Sequence, residues 1–168
     1  MEITLPQTGL RVSNIEAQEL WQKIEEYKLP FGEDYLEYKM KWQRAYCNLA
    51  LSEYRRFAFL ALISDSEITP SEPIDEVWHL HILHTQDYAR FGTACQRFLH
   101  HWPGMPTNRP QWNKQYERTR ELYRQVFGYE APQAFWPTQK SSADGGGPRI
   151  AKVLEVYRGR SQSPTIGI

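Results

Sequence analysis

All five histidines of the 168-residue chain fall between positions 79 and 101. Three lie in VWHLHILHTQDY, residues 77–88, and two in FLHHWP, residues 98–103. Imidazoles ligate divalent metals and move protons, so their concentration beside Asp75 marks the segment where chemistry is expected. On a helix turning about 100° per residue, Asp75 and His79 face the same way, and His81 and His84 form a second pair about 60° apart. His79 points roughly 140° or more away from either member of that pair, so one ion cannot gather all three from a straight helix.

Two rival sites follow. The first joins Asp75 and His79 to His100 or His101 from the proline-rich segment behind the helix. Such a set of imidazoles and a carboxylate suits zinc, or a non-haem iron with open positions. The second joins His81 and His84 to a carboxylate or imidazole from elsewhere. The first is preferred because Ile74, Trp78 and Ile82 flank the Asp75 and His79 face, and a carboxylate buried there needs a partner. Consecutive residues point apart, so at most one of His100 and His101 is expected to face the site, the other packing or capping. Thr85 and Tyr88 stand behind the ligands as supporting groups. A strand would put His79 and His81 on one face, but residues 73–91 hold no turn residue to bound one, and their length favours a helix. The simpler alternative needs no metal: Asp75 orients the His79 ring, which bonds a backbone carbonyl of the HHWP loop. Trp78, Tyr88, Phe91 and Trp102, at helical spacing, read as core.

These residues need positioning by helices, since apolar residues recur at helical spacing in long blocks and no alternating strand is evident. The expected fold is all-α: a compact bundle of four or more helices over residues 1–137, followed by a flexible Gly/Ser-rich tail over 138–168. Asn14 is placed to cap a first helix whose Ile15, Leu20, Trp21, Ile24 and Tyr27 share a face, until Pro30 and Gly32 stop it. One long helix is expected from Gly32 or Glu33 to about Ile63, most deeply buried at Phe57 to Ile63. The histidine helix starts near Ser71 or Pro73 and runs to Phe91, where Gly92 bends it before it resumes to Leu99. A last helix covers Gln111 to Phe127, with Gly128 as C-cap. APQAFWP, residues 131–137, is expected to lie on the bundle as an apolar strap.

Composition narrows the function. Lys plus Arg and Asp plus Glu are equal at 20 each, so no net field draws the chain to nucleic acid or an anionic membrane. The N-terminus lacks a basic and then apolar leader, and no apolar run reaches the ~18 residues of a membrane helix, which points to the cytoplasm. Cys47 and Cys95 fit neither a metal knuckle nor a disulfide framework and read as reduced and buried. Cys95 lacks the cationic surroundings of an activated nucleophile. GGG at 145–147 is not followed by the Lys-Ser/Thr of a phosphate loop, so no nucleotide is expected as cofactor; no haem is expected either.

PSEPIDEVWHLHILHTQDYARF, then FLHHWP, then YERTRELYRQVFGYEAPQAFWP resemble the glycine-rich-domain-containing-protein-like family, over roughly residues 35–147. The resemblance places that family's marker residues on Asp75, Trp78, His79, His81, Thr85 and Tyr88, with its bacterial forms adding His100, His101 and Pro103. Where those relatives tend to carry Cys, this chain has Gly92. The resemblance implies a common helical domain in which the Asp75, His79 and His-His elements travel together. It brings no reaction. The expectation is a helical protein with a buried His/Asp site holding one zinc or iron ion, acting in metal-assisted hydrolysis or iron-dependent oxidation on an unknown small molecule. The rival expectation is a non-catalytic module that binds a protein partner and uses the cluster only to lock its loop.

Overall fold

The computed structural model describes residues 10–102 and 109–138 as a compact all-α fold. Among these residues there are six helices: α1 (Asn14–Glu26), α2 (Glu33–Met40), α3 (Arg44–Ile63), α4 (Glu72–Leu83), α5 (Thr85–Cys95) and α6 (Arg109–Phe127). Helix α3 is the axis, packed against α1, α2, α4 and α6. Twelve of its twenty residues are buried, and its Phe57–Ile63 end is the apolar centre on which the other helices close. No described helix is long and apolar enough to cross a membrane. The tail expected from residue 138 lies, apart from Thr138, outside the described residues.

Helix α1 starts one residue earlier than the Asn14 cap implies. Ser13 is the N-cap, and it forms a capping box: its hydroxyl accepts from the Glu16 N–H, while the Glu16 carboxylate accepts from the Ser13 N–H at 2.8 Å. Ala17, Leu20, Trp21 and Ile24 are buried, but Ile15 projects into solvent at 73% exposure and is not part of that face.

The long helix expected over 33–63 is two helices. Lys41 takes the left-handed conformation (φ 59°) and its N–H bonds the Glu37 carbonyl, closing α2. The chain then runs extended to the N-cap Gln43, and Arg44 reaches back to Asp34, Glu37 and Glu33. These exposed ion pairs add little stability.

The histidine helix is also two helices, and the break falls at His84 (ψ 61°), not at Gly92. Ser71 is the N-cap of α4, yet its buried hydroxyl makes no capping bond, and the turn is closed by its carbonyl accepting from Ile74 and Asp75. Gly92 lies within α5, where an added Cβ would come 2.8 Å from Phe98 Cδ2. Its small size admits the returning chain rather than bending the helix. Helix α5 ends at Cys95, because Gln96 turns left-handed (φ 54°), so residues 97–102 double back along α4 instead of continuing to Leu99 as helix.

Beyond α6, Gly128 (φ +75°) closes the helix as expected. Ala131, Phe135 and Trp136 are buried, Phe135 stacking on Tyr46 at 4.4 Å between ring centroids. Glu53, fully buried in α3, anchors this strap: it accepts from Trp136 Nε1 at 2.9 Å and Tyr123 Oη at 3.2 Å, and pairs with Arg56 at 2.9 Å.

Candidate metal centre

The doubling back after α5 brings Asp75, His79 and His101 together. His79 Nε2 lies 2.9 Å from His101 Nε2, which lies 3.1 Å from Asp75 Oδ1, and His79 Nε2 is 3.5 Å from Asp75 Oδ2. The two imidazoles thus meet different oxygens of the Asp75 carboxylate, and one possible ligand atom from each of the three residues lies within 4.8 Å of the others. Metal–ligand bonds of about 2.0–2.2 Å at angles between about 90° and 110° separate ligand atoms by roughly 2.9–3.5 Å, the same range. Two imidazole nitrogens that face each other this closely need a proton or a cation between them. One proton on His101 Nε2 serves either His79 or Asp75 well, whereas an ion at the centre serves all three.

The cluster sits at the edge of the core. Side-chain exposure is 34% for Asp75, 46% for His79 and 16% for His101, which corrects the expectation of a buried carboxylate. The reason is rotational: α4 buries Ile74, Val77, Trp78 and His81, and Asp75 and His79 each follow a buried residue by one step of about 100°. The most buried of the three is His101, whose ring packs on Trp78 at 4.4 Å between centroids.

Tyr88 sets the position of His101 without touching it. Its hydroxyl donates to the Leu99 carbonyl and accepts from Trp78 Nε1 at 2.8 Å, tying the returning chain to the indole that supports His101. His100 turns the other way, with its ring on Phe98 at 4.8 Å. Thr85 is exposed at the start of α5.

His81 and His84 do not form the second expected site. His84 Nδ1 lies 2.7 Å from the Leu80 carbonyl, and its ring meets Phe31 and Tyr35. His81 is fully buried among the rings of Tyr27, Phe31, Tyr54, Tyr88 and Phe91. Its Nδ1 is 2.7 Å from Tyr54 Oη and its Nε2 is 3.2 Å from Asp87 Oδ1. Sequence reasoning missed both partners. Six residues apart on one straight helix, His81 and Asp87 would point about 120° away from each other. Only the break at His84 turns Asp87 back.

Burial lowers the pKa of His81, against the opposing pull of the Asp87 carboxylate, while His84 and Arg55 add to the lowering. Burial likewise lifts Tyr54 far above the ordinary phenol range, so the hydroxyl stays protonated. With the folded value depressed, the unfolded chain takes up the proton first as pH falls. The contribution of His81 to stability is therefore complete above the ordinary imidazole value of about 6.5 and lost as pH drops through the lower folded value. Denaturation midpoints should fall between about pH 7.5 and about pH 5.5, and a His81→Gln variant, less stable throughout, should show a flatter profile in that window.

Beside the cluster lies a cavity of about 850 Å³, lined in part by Asp75, Trp78, Arg97, His101, Trp102 and Trp112. That volume is in the range of small-molecule sites. Cys95 is buried, and burial raises its thiol to about 11, away from the range of an activated thiolate.

Compared with known proteins, the chain matches no curated protein and no solved structure. It matches the family described as UCP032817-like over residues 20–130, a span that includes Asp75, His79, His101 and the whole of the His81 network. The match bears on kinship and not on a reaction, and it neither supports nor opposes the resemblance to the glycine-rich-domain-containing-protein-like family. With well over half of its length matched and every residue of the cluster inside the match, this chain belongs to the UCP032817-like family.

Proposed function

We propose that the chain binds one divalent ion, zinc or non-haem iron, through Asp75, His79 and His101, and acts as a metal-dependent enzyme on a small molecule held in the adjoining cavity. The observation that carries this reading is the convergence of two Nε2 atoms and a carboxylate from two separate segments, within 2.9–3.5 Å of one another. Three protein ligands leave positions open for water and substrate, and Asp75 and His101 also line the cavity, so an open position has somewhere to face. A bound ion would supply Lewis acidity, and iron would add redox chemistry. The protein's part is to hold the ligands, with Tyr88 and Trp78 fixing His101, and to shape the cavity. Kinship with the glycine-rich-domain-containing-protein-like family belongs to the same reading, supported by the quoted residues. So does a cytoplasmic location, where the two buried free cysteines stay reduced.

Protein purified without an affinity tag is expected to carry near-stoichiometric zinc or iron, lost in a His79→Ala variant that keeps its helical circular dichroism. A second reading is supported by the mutual hydrogen bonds of the three groups and by Trp102, which is 78% exposed. In it the cluster is only a polar clasp for the loop of a protein-interaction module. Metal-free protein whose helicity is indifferent to chelators would favour this second reading and end the first.

A further inference from the structure

We infer that the cavity selects an aromatic carboxylic acid, its ring lying on tryptophan walls and its carboxylate paired with Arg97; this rests on the metal reading above. Six tryptophans occur in the chain. Trp21, Trp78 and Trp136 are buried and Trp42 is half-buried, whereas Trp102 is 78% and Trp112 is 37% exposed. Both exposed indoles line the one cavity that the cluster also borders, and Trp78 joins them there. Indoles are left at a surface at a cost in exposed apolar area, and gathering them around one concavity makes a platform for flat apolar ligands.

Charge decides which flat ligand. The lining holds Arg11 and Arg97 against the carboxylates of Glu67, Glu72 and Asp75, so the metal-free cavity leans acidic. A divalent cation at the cluster reverses that balance. Arg11 already donates to the Asp65 carbonyl at 3.2 Å. Half-buried Arg97 has no hydrogen bond or ion pair with any described side chain, with Glu16 acting on it only at longer range. A guanidinium at the wall of a cavity offers a carboxylate a planar two-pronged partner. The same cavity therefore prefers an amine when metal-free and an acid when metal-loaded.

Isothermal titration with 3-phenylpropionate and its amine counterpart 3-phenylpropylamine, on zinc-loaded and metal-stripped protein, tests this. The acid is expected to bind the zinc-loaded form about ten-fold or more tightly than the stripped form, as one charge-assisted contact allows. The amine should show the reverse order. Arg97→Gln should cost the acid about ten-fold while zinc content stays unchanged. Trp102→Ala, at a position 78% exposed, should weaken both ligands while helical circular dichroism is retained. Retained zinc with acid binding that ignores Arg97, or that is no tighter than amine binding, overturns this inference and leaves the metal reading standing. Protein that takes up no zinc or iron overturns both.

Discussion

Replacing His101 by alanine should abolish metal retention, while the same change at His100 should leave it intact. Removing a supporting group behind a ligand typically costs about 10–100-fold in metal affinity, and His101 is a proposed ligand, so its loss should exceed that range. His100 is its covalent neighbour and shares its solvent-facing loop, yet its ring lies on Phe98 rather than on the cluster. The pair controls for general loop damage better than any distant variant. Metal content after gel filtration, with helicity recorded alongside, is the measurement. Equal losses in the two variants would show that the loop, and not the imidazole, matters.

The largest effect on stability is expected at Glu53. Its carboxylate has no exposure and holds Trp136, Tyr123 and Arg56. Glu53→Ala strands a buried indole N–H, a buried phenol and a guanidinium whose side chain is only 12% exposed, and removing one partner of a buried charged pair costs about 3–5 kcal/mol. Glu53→Gln keeps the shape and an acceptor for the indole and should recover part of that loss. Urea denaturation of the three proteins gives the comparison. A Glu53→Ala change within about 1 kcal/mol of wild type would place the anchor elsewhere.

What the sequence shows and what it hides divides along local and non-local signals. Helical periodicity and the proline-rich breaks identify the all-α class, and the apolar run Phe57–Ile63 identifies the centre. The one-turn spacing of Asp75 and His79, with a histidine pair returning on a loop, is enough to nominate these two with His100 or His101, and only the fold selects His101. Breaks without glycine or proline escape detection. Lys41 and His84 end helices in conformations that their residue types do not announce. Missing the break at His84 hides the partnership of His81 with Asp87, and no local pattern points from His81 to Tyr54, 27 residues earlier. The exposure of Asp75 and His79 is misjudged for a related reason. Their apolar neighbours in sequence face the core, whereas they face its rim.

The anchoring of Trp136 also sets where this protein can be cut. The family match stops at residue 130, but Ala131, Phe135 and Trp136 fill the interior beyond it. A fragment designed to the edge of the match would expose a hydrophobic hollow floored by the Glu53 side chain. The minimal folding unit therefore reaches at least to Pro137, whose carbonyl is held by Tyr116.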